Sequence, residues 1–151
     1  MDESLTRLES EMLVLARRIE SSARHSTMYE RMERAAYMIA RTLDNRGPLS
    51  VNELARSLSL DGSTVTRQVA AMEARRQAIR KADPDDGRAW VISLTTVGRQ
   101  EMGAIDAVRR ERFAGWVADW RSADVERFGI LLQRLNAAMA LTATGAPASS
   151  S

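Results

Sequence analysis

Hydrophobic residues recur along most of this chain at the three- and four-residue intervals of amphipathic helices. Two stripes share the spacing 3, 4, 3, 4. The first lies in a segment from about Ser4 to Ser22 and consists of Leu5, Leu8, Met12, Leu15 and Ile19. The last lies after residue 121 and consists of Val125, Phe128, Leu132, Leu135 and Met139. Each pattern predicts a helix with one apolar stripe, packed either within its own chain or against a partner.

A second helical segment is predicted from about Met28 to Asn45. Its stripe comprises Met32, Ala35, Ala36, Ile39 and Leu43. The sequence "DNRGPLS" ends this segment, because Gly47 suits a helix C-terminus and Pro48 cannot easily continue a helix.

Two short helices joined by a tight turn follow. Ser50 and Glu53 have the spacing of a capping box, and Asp61 or Ser63 is placed to cap the second helix. The small Ala55 would let the second helix cross closely, and the apolar residues predicted to hold the two helices together are Leu54, Leu58, Leu60, Val65, Val69 and Met72. This arrangement predicts a helix-turn-helix.

The apolar period then changes from 3.6 to about 2 in "AIRKADPDDGRAWVISLT", where Trp90, Ile92 and Leu94 alternate after the turn-forming "DPDDG". We therefore expect a β-hairpin. Thr95 is placed to cap a further helix, Ser122 to cap the last one, and residues 142–151 are predicted to form a disordered tail.

The predicted fold is mostly α with a small β-hairpin: a winged helix-turn-helix at residues 49–95 inside a single domain of residues 1–141. A winged helix places its second helix in the major groove of DNA, so the front of that helix needs exposed hydrogen-bonding side chains. The candidate DNA-binding residues are Ser50, Asn52, Ser63, Thr64, Thr66, Arg67, Gln68, Arg75, Asp86 and Arg88.

The chemistry of these side chains suggests their roles. Arg67 can form a bidentate contact with guanine and Gln68 with adenine, while Ser63 and the first helical amides suit a phosphate. Arg88, just after the hairpin turn, suits the minor groove, and Asp86 on the same face is expected to orient its guanidinium. The plainer alternative is that these residues solvate exposed surfaces, with Asp86 and Arg88 forming a surface ion pair.

Composition narrows the functional classes. The chain has no cysteine and one histidine, which excludes disulfides and thiolate catalysis and leaves no cofactor or metal site expected. It shows no nucleophile–base pair and no phosphate-binding loop, so we do not expect an enzyme. With no long apolar run and no secretory signal, the protein is expected in the cytoplasm without a membrane partner. The net charge of +2 is weak support for nucleic-acid binding.

The segment Leu49 to Gln100 resembles the MarR family of bacterial transcription regulators. The resemblance rests on "STVTRQV" and on the wing pattern formed by Asp86, Arg88, Leu94, Thr95 and Gly98. It implies a sequence-specific regulator, expected to be a repressor, that binds an inverted-repeat operator as a homodimer. The first and last apolar stripes would then form the dimer interface. A winged-helix module that binds proteins and does not read DNA is the alternative.

The resemblance also implies a small anionic or phenolic effector in a cleft between the dimerisation and DNA-binding parts. The candidate lining residues are His25, Tyr37, Met38, Trp116 and Trp120, for which core packing or a surface position is the competing interpretation. The chain departs from the family at Arg76 and Gln77, where Gly and Leu are common, and at Ala71, where a basic residue is common. Either the recognition helix runs on at this point or the turn into the wing differs.

Overall fold

A computed structural model describes residues 2–143 of the chain, and within them six α-helices flank a two-stranded antiparallel hairpin. In chain order these elements are α1 (Glu3–Arg24), α2 (Arg34–Arg46), α3 (Val51–Leu58), α4 (Gly62–Ala74), β1 (Ala78–Ala82), β2 (Trp90–Leu94), α5 (Thr96–Trp116) and α6 (Ser122–Ala143). The predicted fold class, mostly α with a winged helix-turn-helix, is confirmed.

The hydrophobic core lies where α2, α3, α4, the hairpin and the first half of α5 meet. The side chains of Ile39, Leu54, Val65, Val69 and Met72 are completely buried there. The predicted inward residues of α4 are therefore confirmed, since three of these five come from that helix. This core fixes the position of α4 relative to the hairpin.

The hairpin pairs Ala78 with Leu94 at its base and Ala82 with Trp90 near its tip. Leu49 extends the sheet through two backbone hydrogen bonds with Ile92, with N···O distances of 3.2 and 2.7 Å. The residue that precedes the helix-turn-helix is thus bonded to the hairpin, which fixes the position of the two parts of the winged helix relative to each other.

Local capping signals in the sequence are confirmed. The Ser50 hydroxyl accepts the amide of Glu53, whose carboxylate accepts the amide of Ser50 in return, which completes the capping box. The Thr95 hydroxyl accepts the amide of Gly98 at the start of α5. Gly47 ends α2 with a φ of 81°, a left-handed conformation that glycine adopts without strain.

The second helix is shorter than its apolar stripe predicted. Residues Thr27–Tyr29 form a separate 3₁₀ turn, and α2 begins only at Arg34. Between them the backbone carbonyl of Arg31 accepts a hydrogen bond from Nε2 of Gln77 at 2.9 Å. The prediction of one helix from Met28 to Asn45 was wrong: the segment between Tyr29 and Arg34 is not α-helical, and a distant side chain binds one of its backbone carbonyls.

The turn from α4 into the wing uses Arg76 where glycine would be easier. Helix α4 ends at Ala74, and Arg76 has a φ of 61°, so the helix does not run on. Gln77 follows with 1% of its surface exposed. Its side-chain amide also donates a hydrogen bond to the Glu101 carboxylate of α5 at 2.6 Å. The polar residue therefore joins α4, α5 and the segment before α2.

Four further expectations need correction. Leu60 is 42% exposed in the turn before α4 and does not hold the helix pair together, and Trp90 is 62% exposed because it lies beyond the core edge of β2. Helix α6 continues to Ala143, so residues 142 and 143 of the predicted tail are helical, and residues 144–151 lie outside the described residues. Ser122 does not cap α6, because it is the first residue of that helix. The backbone carbonyl of the preceding residue, Arg121, accepts the amides of Asp124 and Val125.

Candidate nucleic-acid interface

The solvent-facing side of α4 is narrow and carries few long side chains. Opposite the buried Val65, Val69 and Met72, the exposed positions are Ser63, Thr66, Arg67, Ala70, Ala71 and Ala74. An α-helix with its side chains is about 10–12 Å across, and the major groove is about 12 Å wide. The small alanines let this side approach a duplex closely, with Arg67 as its longest polar group.

Asp61 organises the first turn of α4. Its carboxylate accepts the backbone amide of Thr64 at 2.7 Å, the hydroxyl of Ser63 at 2.5 Å and the hydroxyl of Thr64 at 2.8 Å. These donors, the Ser63 hydroxyl first, hold the pKa of Asp61 well below its ordinary value. The choice between Asp61 and Ser63 as the cap is thereby settled in favour of Asp61.

Two predicted residues of α4 lie on its flanks. Thr64 and Gln68 are half-buried, and Gln68 faces a shallow groove beside Glu33 and Met72. A bidentate contact of Gln68 with adenine is therefore less accessible than the sequence suggested, because its side chain leaves the outward face.

Arg75 is separated from the other candidates on α4. It follows the last residue of the helix, eight residues beyond Arg67, which corresponds to about 12 Å along the axis. Its guanidinium lies 3.6 Å from the Glu33 carboxylate and 3.5 Å from the Arg31 carbonyl. The structure does not bring Arg75 together with the leading turn of α4.

The start of α3 offers a second, smaller polar surface. Asn52 is exposed in its first turn, and Ser50 is half-buried in the capping box. The amide hydrogen bond from Ser50 lowers the pKa of the Glu53 carboxyl below its usual value. The ionised Glu53 therefore keeps the backbone at Ser50 in place.

The wing tip presents Arg88 on a hydrogen-bonded turn. The Asp86 carboxylate accepts the backbone amide of Arg88 at 3.1 Å, and the Asp83 carboxylate accepts the amide of Asp85 at 2.9 Å. Among residues 2–143, no ion pair involves the Arg88 guanidinium. Asp86 thus fixes the backbone of Arg88, and the expectation that it orients the guanidinium is corrected.

A cleft separates α1 from α5, away from α4. The surrounding residues are Ile19, Ser22, Ala23, Met28, Tyr29, Arg34, Arg109, Arg112, Phe113 and Trp116. Arg109 donates to the Tyr29 hydroxyl at 3.2 Å, and Arg112 donates to the Ser22 hydroxyl at 2.9 Å. In the part of the chain that the structure describes, the three arginines form no ion pair with a carboxylate.

The arginines of this cleft were not identified from the sequence. The cleft joins residues 19–34 to residues 109–116, and these two groups lie at least 75 positions apart in the chain. Of the five predicted effector-binding residues, Trp116 lines the cleft. Met38 is on the face of α2 opposite the core, His25 is exposed at the end of α1, and Trp120 packs on Phe128. These three do not meet at the cleft.

Tyr37, the fifth predicted effector-binding residue, is buried beneath the cleft. Its hydroxyl donates to Asp106 at 2.7 Å, and the Arg109 guanidinium lies 5.5 Å from its ring centroid. Burial, followed by the hydrogen bond to Asp106, raises the pKa of Tyr37 to about 12. Arg41 donates to the other oxygen of Asp106 at 3.2 Å, so this cluster joins α2 to α5.

The two terminal helices leave their apolar side chains in solvent. No residue of α1, which is fully described, is buried, and residues 122–142 of α6 are all exposed or half-buried. Of the predicted interface residues, Met12, Leu132 and Leu135 are half-buried and the others exposed. Large exposed apolar residues that the stripes omitted include Leu13, Ile130 and Leu131.

Residues 2–143 contain neither a metal-binding cluster nor a membrane-spanning helix. No group of three or more histidine or acidic side chains is arranged to hold a metal ion there. No helix in the same range combines the length and apolar content that a bilayer crossing requires.

A family model and a known transcriptional regulator both match this chain. A model of the MarR family matches residues 32–89. The chain is 43% identical over 107 residues to the uncharacterised HTH-type transcriptional regulator YxaD of Bacillus subtilis strain 168, an alignment that covers 71% of this chain and 75% of that protein.

Solved structures show the same fold. A MarR family protein from Bacillus stearothermophilus superposes with a TM-score of 0.79 and 21% identity, covering 92% of this chain and 98% of its own. The PcaV transcriptional regulator of Streptomyces coelicolor, solved in complex with its natural ligand, gives a TM-score of 0.62 and 22% identity, with 83% and 91% covered.

Proposed function

Because the chain belongs to the MarR family and is therefore a DNA-binding transcription regulator, we propose that it binds an inverted-repeat operator as a homodimer and represses transcription. Each protomer would place α4 in the major groove and the tip of its wing in the adjacent minor groove. Members of this family regulate transcription and are not enzymes, in line with the sequence-based expectation.

The observation that carries this proposal is the outward face of α4. Arg67 is exposed and stands beside Ala70 and Ala71, so its guanidinium can reach base edges without a bulky neighbour in the way. Arginine bound to the O6 and N7 atoms of guanine is the commonest specific contact in the major groove. We assign Arg67 this role.

The wing contributes a contact of another kind. Arg88 is exposed and unpaired among the described residues, at the end of a two-stranded hairpin that shares the core with α4. Narrow minor grooves concentrate negative potential and attract arginine. Arg88 should therefore add affinity with little preference for particular bases.

The exposed terminal helices support the homodimer. Leu5, Leu8 and Leu13 of α1 are 58%, 51% and 69% exposed, and Ile130 and Leu131 of α6 are 52% and 49% exposed. Large exposed apolar residues repeated along two helices favour an interaction site. Two-fold pairing through α1 and α6 would place two copies of α4 about 34 Å apart, one turn of DNA.

The cleft between α1 and α5 supports release by a small molecule. Arg34, Arg109 and Arg112 provide positive charge, while Tyr29 and Trp116 provide aromatic walls. Positive charge beside aromatic walls suits an aromatic carboxylate or an anionic phenol. Since PcaV has a natural ligand, we propose that such an effector binds here and changes the position of α1 relative to the DNA-binding unit.

A duplex-binding titration separates this proposal from the alternative, a winged-helix module that binds proteins. The preferred duplex would first be selected from a random library and then titrated by fluorescence anisotropy. Arg67→Ala should weaken binding by about 1–3 kcal/mol and relax one base position. Arg88→Ala should weaken all sequences similarly and reduce the salt dependence by about one phosphate contact.

Arg110→Ala is the matched control, because it removes the same charge from an exposed position of α5 where, among the described residues, the guanidinium forms no ion pair. It should bind the duplex as the parent does. If the Arg67 and Arg88 variants also bind as the parent does, the assignment of these two residues is wrong. If the parent selects no duplex at all, the protein-binding alternative is favoured. Sedimentation at micromolar protein tests the dimer, which a monomer would contradict.

A further inference from the structure

The hydroxyl groups at the front of α4 are already committed as hydrogen-bond donors. The Ser63 and Thr64 hydroxyls lie 2.5 and 2.8 Å from the two oxygens of Asp61. A carboxylate at neutral pH accepts hydrogen bonds and cannot donate them. Both hydroxyl protons must therefore point at Asp61.

The Thr66 hydroxyl is also committed as a hydrogen-bond donor, but to a different partner. Its hydroxyl lies 2.8 Å from the backbone carbonyl of Gly62, one helical turn earlier. A carbonyl oxygen is also an acceptor, so the Thr66 hydroxyl is again the donor. The free lone pairs of Ser63 and Thr66, both exposed, are what remain for an incoming ligand.

We propose that the leading turn of α4 reads DNA as an acceptor surface, with Ser63 and Thr66 accepting hydrogen bonds from the exocyclic amino groups of adenine or cytosine. This rests on the proposed function, in which α4 enters the major groove. Adenine N6 and cytosine N4 are the hydrogen-bond donors that the major groove displays. Arg67 then supplies the strong donor on the same face and takes the acceptor-rich edge of guanine.

This assignment changes the phosphate-binding role that the sequence suggested for Ser63. Phosphate oxygens offer no proton, so Ser63 and Thr66 are not suited to bind them in this arrangement. The ionised Asp61 beside Ser63 adds repulsion toward a phosphate. Because hydrogen bonds to a charged carboxylate are stronger than neutral ones, a base acceptor does not readily capture the Ser63 proton from Asp61.

Base analogues in the selected duplex test the polarity directly on the unaltered protein. Ser63→Ala and Thr66→Val first identify which base positions face each hydroxyl, by the positions at which preference relaxes. At those positions, purine in place of adenine, or 2-pyrimidinone in place of cytosine, removes the amino group. We expect each replacement to weaken binding by about three- to tenfold, the effect of one lost hydrogen bond.

A 7-deaza purine at the same positions removes an acceptor and should change affinity by less than about twofold. At the guanine facing Arg67, 7-deazaguanine should instead weaken binding clearly. Thr42→Val is the matched control for Thr66→Val, because the Thr42 hydroxyl makes the same bond to a carbonyl one turn earlier, in α2. It should leave the selected sequence unchanged.

Asp61→Ala provides a second line of evidence. It removes the carboxylate that accepts the Ser63 hydroxyl, which frees that hydroxyl's proton for the DNA. In this variant the penalty for a missing amino group opposite Ser63 should fall below about twofold.

The outcomes distinguish this inference from the function on which it rests. If a duplex is selected but the 7-deaza bases weaken binding opposite Ser63 and Thr66 while loss of the amino groups does not, the acceptor assignment is overturned and DNA reading by α4 stands. If no sequence is selected at all, the proposed function fails and the acceptor assignment fails with it.

Discussion

Replacing Gly98 by alanine should disrupt the junction between the wing and α5. A Cβ atom at this position would lie 2.1 Å from the backbone oxygen of Gln77 and 3.0 Å from its carbonyl carbon. Real Cβ atoms essentially never approach closer than 3.0 Å, so the start of α5 or the Gln77 backbone must move by about 1 Å. Neither is the free end of a flexible side chain.

The expected cost follows from the contacts that this movement loosens. Overpacking in a tight interior typically costs about 1–3 kcal/mol. The same shift strains the hydrogen bond from the Thr95 backbone amide to the Gln77 backbone oxygen, which is now 3.1 Å. It also strains the bond from the Gln77 side-chain amide to the Glu101 carboxylate. Each bond contributes about 1 kcal/mol. We expect Gly98→Ala to lower the free energy of unfolding by about 2–4 kcal/mol.

Urea denaturation at one fixed protein concentration measures this change, with the concentration held constant because the proposed dimerisation would contribute to stability. Gly103→Ala is the control, since it lies in the same helix with nothing within 4 Å of the added Cβ. It should stabilise the protein by about 0.5–1 kcal/mol, because alanine favours the helix. Equal midpoints for the Gly98 and Gly103 variants would refute the steric argument.

Three further changes have predictable effects. Arg76→Gly should raise the free energy of unfolding by up to about 1 kcal/mol, because the φ of 61° is easier for glycine, and a lower urea midpoint would contradict this. Ser50→Ala should lower it by about 1 kcal/mol through loss of the capping box, as measured in the same assay; no change would show that the box is dispensable. Tyr37→Phe removes the hydrogen bond to Asp106 and should cost about 1 kcal/mol at pH 8. Because the pKa of Tyr37 is raised to about 12, its contribution is complete below pH 10 and lost as the pH rises through 12, so parent and variant should converge in alkaline urea titrations.

The position of a candidate DNA-binding residue was predictable from the sequence where one short segment determines it. Arg67 lies on the outward face of α4 because Val65, Val69 and Met72 fix which face is buried. The arginine-lined cleft was not predictable, since Arg34 and Arg112 come from elements far apart in the chain and carry no shared motif. The roles of Asp61 and Asp86 were partly missed, because sequence spacing does not show which oxygen or amide a carboxylate meets.

The order of elements follows from local signals in the sequence, because apolar periods, caps and turns act over three or four residues. Ser50 with Glu53, Gly47 and Thr95 are signals of this range, and each took its expected place. The tertiary fold, by contrast, places the break before α2, where Gln77 binds the Arg31 carbonyl from 46 residues away. It also decided the exposure of Leu60 and Trp90, since burial depends on what another element brings to the same place.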